Sequence, residues 1–199
     1  MDLVYPPICV GCADAPWEEG ELLCGACLQK VIRAAGRDCL RCGRVLGPHA
    51  ERGNCRDCRG RSLFFARAYG AVAYRGEVRK LVRRMKIGRQ SCLSGSLADW
   101  LADRLRQEKI GGQIDCVTAV PDRFSARLRR GFSPAGEIAR RVAADLGLPY
   151  APGALLRVKR TPRQVELGRH ARIASPVGAF AARKDLVSGK RILVIDDVM

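Results

Sequence analysis

Eight of the ten cysteines form four Cys-x-x-Cys pairs within residues 9–58: Cys9/Cys12, Cys24/Cys27, Cys39/Cys42 and Cys55/Cys58, with 11, 11 and 12 residues between pairs. Two intervening residues let both sulfurs of a pair face one ion from a tight knuckle. Two knuckles complete a tetrahedral site with Zn–S bonds of about 2.3 Å. One isolated pair would equally fit a redox motif; four in register point to metal. An internal repeat indicates the pairing. Cys9 and Cys12 recur 30 residues later as Cys39 and Cys42, and Cys24 and Cys27 recur 31 residues later as Cys55 and Cys58. If each copy closes its own site, Cys9, Cys12, Cys24 and Cys27 hold one zinc and Cys39, Cys42, Cys55 and Cys58 hold a second. An interleaved, cross-braced pairing is the alternative. With all four ligands from protein, both zincs are structural. His49 could in principle replace a cysteine ligand, but four are already present, so it is expected on the surface. A segment of about 60 residues with few large apolar side chains is expected not to fold without metal. Leu22, Leu23, Leu28, Val31 and Ile32 supply a small satellite core and a short helix after Cys27.

The 199 residues are 47% hydrophobic, enough for a core and too apolar for a disordered chain. No apolar run approaches the roughly 18 residues of a membrane-spanning helix. The start lacks a signal-peptide pattern, and thiol-rich knuckles suit a reducing compartment, so the chain is read as cytoplasmic with no membrane insertion. The formal net charge is +16, and its placement is uneven. Residues 1–60 carry 8 basic and 8 acidic residues, whereas residues 61–199 carry 28 and 12. Such a surplus favours phosphate-bearing partners. The plainer alternative is an Arg-rich composition on solvated faces.

Beyond residue 61 the pattern changes, giving an expected zinc-ribbon domain at 1–61 and a second domain at 62–199. The run FFARAYGAVAY (64–74) reads as a strand or strand pair. Residues 77–88 place Val78, Leu81, Val82 and Met85 on one helical face, with Gly88 as a stop. Residues 94–108 form a second amphipathic helix through Leu97, Trp100, Leu101 and Leu105. Ile114 to Val120 is a buried strand ended by Pro121, residues 134–146 are a helix entered at Ser133-Pro134, and residues 192–195 (ILVI) are a final central strand. Strands alternating with helices imply a parallel α/β sheet. Cys116 is expected in the core, and Cys92 has no assigned role.

The segment KRILVIDDVM (190–199) leaves two carboxylates, Asp196 and Asp197, where the last strand exits the sheet. Ligands of parallel α/β folds bind outside strand carboxyl ends. Adjacent acids there can accept hydrogen bonds from ribose hydroxyls, directly or around Mg²⁺; helix capping is the structural alternative. Arg123, Arg127 and Arg130 fall at i, i+4 and i+7, so one helical face can present three guanidinium groups to phosphate oxygens. His170 beside an Arg-rich run is expected to be exposed rather than catalytic.

Two knuckle sets followed by a basic α/β domain ending in VIDDVM resemble the ComF family of competence-associated proteins. Those proteins join a double zinc ribbon to a phosphoribosyltransferase-like domain. The resemblance spans nearly the whole chain and includes Tyr74-Arg75-Gly76, Leu81 to Lys86, AVPDRFSARLRRGFSPA (119–135), RTPRQVELGRHAR (160–172) and Gly178-Ala179-Phe180. It implies a type I phosphoribosyltransferase-like parallel sheet that binds phosphoribosyl pyrophosphate with Mg²⁺. By the same resemblance Asp196 and Asp197 are catalytic ribose contacts, and Arg123, Arg127 and Arg130 lie near the pyrophosphate. It also implies a link to DNA uptake, with single-stranded DNA and uptake proteins as partners. The alternative is a non-enzymatic, single-stranded DNA-binding accessory, with Phe124 and Phe132 beside the arginines to stack bases.

This sequence departs from the family at Ser133-Pro134, where Asn-Gln is usual, and at Asp122, where Val-Pro often repeats. The Thr/Gly-rich turn that cradles a 5′-phosphate does not appear before Met199. The chain is therefore expected to be C-terminally truncated and inactive as it stands.

Overall fold

The computed structural model describes residues 8–13, 22–31, 38–47, 55–88, 90–159, 161 and 177–198. His49, His170, Ile32 and most of 160–172 lie outside the described residues. The chain divides into two compact units, Met1–Lys109 with Val198–Met199, and Ile110–Asp197.

In the first unit the knuckles carry one short helix, α1 (Gly25–Gln29), which includes Cys27 rather than following it. Leu23 and Val31 are buried around it, as expected, and Leu22 and Leu28 are half-buried. Helix α2 (Gly76–Ile87) buries Val78, Leu81, Val82 and Met85, the expected stripe. Glu77 sits in its first turn and Arg84 and Lys86 in its last, each favourable to the helix dipole. Helix α3 (Leu93–Gln107) packs on α2 and buries Leu97, Ala98, Ala102 and Leu105. Trp100 and Leu101 are only half-buried.

Residues 64–74 form no strand, which corrects the sequence expectation. The run does not alternate: Phe64 and Phe65 are adjacent and both exposed, so neither face of a strand could be buried consistently. Its backbone bonds to a knuckle loop instead, Ala68 N–H donating to the Arg41 carbonyl at 3.1 Å. Gly43, at φ +69, lies so close that a Cβ there would sit 2.8 Å from the Ala68 carbonyl oxygen.

The second unit is mixed α/β. Strand β1 (Cys116–Ala119) pairs in parallel with a distal strand, β4 (Ile192–Ile195), in the register Cys116↔Ile192 through Ala119↔Ile195. Cys116, Val117 and Thr118 are buried, and Thr118 Oγ1 donates to the Ala151 carbonyl at 2.9 Å. After β1 come helix α4 (Phe124–Arg130) and helix α5 (Pro134–Asp145). Ser133 caps α5 by accepting from the Gly136 N–H, and Pro134 occupies the first turn. Ile138, Ala139, Val142 and Ala143 are buried, and α5 packs on both strands. A second, antiparallel pair joins β2 (Leu155–Arg157) to β3 (Phe180–Ala182); a short helix, α6 (Lys184–Val187), then leads to β4. β4 is less enclosed than a central strand should be. Among the described residues only β1 pairs with it, and Val194 is 47% exposed.

Candidate metal centres and a basic cleft

Both cysteine sets converge in the first unit, with the ligand atoms of each set within 4.8 Å of one another. The sets join consecutive knuckles, Cys9/Cys12 with Cys24/Cys27 and Cys39/Cys42 with Cys55/Cys58, so the pairing is not cross-braced. Sγ–Sγ separations are 3.9 Å for Cys12–Cys24, 3.6 Å for Cys39–Cys58, 3.5 Å for Cys42–Cys55 and 3.6 Å for Cys55–Cys58. A tetrahedron with metal–sulfur bonds of about 2.3 Å has edges of about 3.8 Å. A disulfide needs about 2.05 Å, and no cysteine is in one. The donors therefore fit two structural zinc ions.

Backbone N–H groups prepare each set. Gly11 and Cys24 donate to Cys9 Sγ at 3.3 and 3.2 Å. Burial alone would push the Cys9 thiol up, but backbone bonds from Cys12, Cys24 and Gly11 outweigh it and bring it to about 6. Cys39 likewise falls to about 6, burial being outweighed by backbone bonds from Cys42, Cys55 and Arg41. Within the same sets burial, aided by hydrogen bonds from neighbouring sulfurs, pushes Cys27 and Cys42 up to about 12. Four thiols this close cannot all ionise without a cation among them, which is the charge a dication supplies.

Each set is backed by a helix. Lys80 of α2 donates to the Gly11 carbonyl at 3.1 Å and pairs with Glu77 at 3.0 Å. Gly11 has no room for a side chain: a Cβ would sit 2.8 Å from both Cys27 Sγ and Glu77 Oε2. At the second set, Arg104 of α3 pairs with Asp38, the residue before Cys39, at 2.8 Å. Arg104 also binds Glu108, which pairs at 3.0 Å with Arg67, whose guanidinium stacks 4.7 Å over the Tyr69 ring. The sequence reading missed this buried chain of charge. Its one signal is Arg104 lying seven residues after Leu97, on the apolar stripe of α3.

In the second unit a cleft of about 1030 Å³ opens at the carboxyl end of β1. Arg123 and Arg127 line it. The expected helix carrying them is α4, with Arg123 at its N-cap. Arg130 is turned aside and pairs with Asp122. Its place is taken by Arg157, a cation at the end of β2 that the sequence reading did not single out. Arg157 Nη1 donates to Thr161 Oγ1 at 3.2 Å, and Arg123 Nη2 donates to the same hydroxyl at 3.5 Å. Two guanidinium groups from different elements thus converge on one oxygen. Arg157 also donates from Nε to the Pro121 carbonyl at 3.2 Å and stacks 4.6 Å over the Phe180 ring. Burial, then the Arg123 charge, holds its pKa below the ordinary arginine value, against the pull of Asp122 and Asp196. The arrangement can receive an anion and would relieve the cation–cation repulsion by doing so.

Asp196 and Asp197 leave β4 beside the β1 exit, where Val120 N–H donates to the Ile195 carbonyl at 2.9 Å. Asp197 N–H donates to Asp196 Oδ1 at 2.9 Å, and Asp196 is exposed. Neither acid is among the residues lining the cleft; Asp196 bears on it through its attraction for Arg157. No described helix is long and apolar enough to cross a membrane.

Residues 1–59 match the double zinc ribbon domain family. Comparison with curated proteins and with solved structures gave no match for the chain.

Proposed function

We propose that this chain is a ComF-like member of the phosphoribosyltransferase family that binds phosphoribosyl pyrophosphate with Mg²⁺ and serves DNA uptake in natural competence. The observation that carries the binding part is the convergence of Arg123 and Arg157 on Thr161 in a cleft at a strand carboxyl end. Guanidinium forks suit the oxygens of a pyrophosphate, and Arg127 adds a third cation to the lining. Parallel β1 and β4 send their carboxyl ends the same way, so Asp196 and Asp197 emerge beside that cleft's strand. There they would accept hydrogen bonds from ribose hydroxyls. Mg²⁺, when bound, neutralises phosphate charge. The arginines orient the pyrophosphate and stabilise the charge it gains on leaving, an electrostatic contribution rather than a covalent one. The link to competence rests on the resemblance alone.

The test is calorimetric titration of the zinc-loaded natural protein with phosphoribosyl pyrophosphate and Mg²⁺. Saturable, Mg²⁺-dependent binding that Asp196→Asn/Asp197→Asn abolishes supports the reading. Binding indifferent to both substitutions removes the acids from the site, and absence of binding removes the function.

A further inference from the structure

We propose that Cys12 and Cys24 are a site of reversible oxidation, forming a peroxide-driven disulfide that empties the first cysteine set and leaves the second loaded. The site belongs to the first unit and is independent of the cleft and of its ligand.

The two sets are alike in ligand type but not in access. In the first, Cys12 and Cys24 both reach solvent, while Cys9 and Cys27 are buried. The accessible pair are also neighbours, their sulfurs 3.9 Å apart. In the second set Cys39, Cys55 and Cys58 are buried, and Cys42 is half-buried. The sulfur 3.5 Å from that of Cys42 belongs to Cys55, which is 7% exposed. An oxidant arriving at the second set meets one accessible sulfur with a buried neighbour; at the first it meets two side by side. A metal ligand is already a thiolate, the nucleophilic form, so access decides which ligand reacts.

The chemistry balances with hydrogen peroxide as the oxidant. The Cys12 thiolate attacks one peroxide oxygen, the O–O bond breaks, hydroxide leaves, and Cys12 becomes a sulfenic acid. The Cys24 thiolate then attacks the Cys12 sulfur, forming the S–S bond and expelling the second hydroxide. Two solvent protons turn both hydroxides into water. The two sulfurs give up two electrons, and the peroxide accepts them. The sulfurs close from 3.9 Å to about 2.05 Å. They belong to different knuckles, so the disulfide takes over the crosslink that the metal supplied. Cys9 and Cys27 are then the remaining ligands, too few for a structural site.

The surroundings favour return. Gly11 and Cys24 N–H groups donate to Cys9 Sγ at 3.3 and 3.2 Å, and Lys80 of α2 holds the Gly11 carbonyl at 3.1 Å. None of these bonds uses either reacting sulfur. The loop stays tethered, with Cys9 in place to receive metal once the disulfide is reduced.

The experiment treats the zinc-loaded full chain with hydrogen peroxide and follows released zinc with a chromogenic chelator. One of the two sets should empty. Glutamate-specific proteolysis cuts at Glu18, Glu19 and Glu21, between Cys12 and Cys24. Mass spectrometry of the iodoacetamide-treated digest should therefore show the two knuckles joined through Cys12–Cys24, with Cys9 and Cys27 alkylated. Reduction with a phosphine and added Zn²⁺ should restore two zincs per chain. Cys92→Ser removes an exposed cysteine outside both sets and should change neither release nor disulfide. Substituting Cys12 or Cys24 removes a ligand, so the wild-type disulfide map carries the test. The proposal is overturned if peroxide releases no zinc, if both sets empty together, or if the second empties first. A disulfide joining any other pair in the zinc-depleted chain, or zinc loss that reduction does not reverse, overturns it as well.

Discussion

The Asp38 carboxylate lies 2.8 Å from the Arg104 guanidinium, with the Asp38 side chain 0% and the Arg104 side chain 4% exposed. The pair ties the residue preceding a metal ligand to the last turn of a helix 66 positions away. Breaking a buried pair from one side leaves an uncompensated charge, at a cost of about 3–5 kcal/mol. Arg104→Met should therefore lower unfolding stability by that order in urea titration, since it takes the cation from the fully buried Asp38 carboxylate. Glu108→Gln, at the less buried end of the chain of charge, should cost clearly less. Equal losses would show that the buried contact is not special.

Metal analysis should find two zincs per chain. Cys39→Ser should leave one and unfold the second knuckle set, and Cys9→Ser should do the same to the first, because among the described residues neither set has a spare ligand. Full retention of two zincs in either variant would refute the ligand assignment.

Gly11→Ala forces a methyl group to within 2.8 Å of Cys27 Sγ and Glu77 Oε2. Because a metal ligand and a helix both crowd the position, the expected outcome is loss of zinc from the first set while the second stays loaded. Two zincs with unchanged stability would mean that the neighbours yield.

In the second unit, Asp115 receives the Arg191 guanidinium and its backbone N–H, which together hold the carboxyl down at about 2 against an ordinary 3.8. A depressed carboxyl stabilises the fold above its unfolded value and loses that contribution as pH falls through the folded one. Asp115→Asn should thus lower the melting temperature at neutral pH. The two melting curves should converge between about pH 4 and pH 2. A gap that persists unchanged at pH 2 would contradict the pairing.

Arg157→Met and Arg130→Met separate ligand contact from internal bracing. The first should reduce affinity for inorganic pyrophosphate by about tenfold or more, since hydrogen bonds to charged groups contribute about 1.5–3 kcal/mol. The second should mainly destabilise, because Arg130 answers Asp122. The reverse pattern would exchange their roles.

The parts of this protein most legible in the sequence are those with local causes. Knuckle pairing followed from the repeat, and α2, α5 and β4 followed from periodicity, capping at Ser133 and an unbroken ILVI run. What escaped reading depends on partners distant along the chain. β2 and β3 have three residues each, too few to show a period, and exist because they pair with one another. Residues 64–74 have strand-forming composition, but a knuckle carbonyl claims the Ala68 N–H instead. Arg157 looked like an ordinary charge until β2 carried it to the hydroxyl already reached by Arg123.

Lys80 and Arg104 stand on two helices that pack together, and each holds a different cysteine loop. Depleting either metal would therefore not be a private event. The helical pair works as a splint across both centres, so slackening one loop should weaken the other site's hold on its zinc without emptying it.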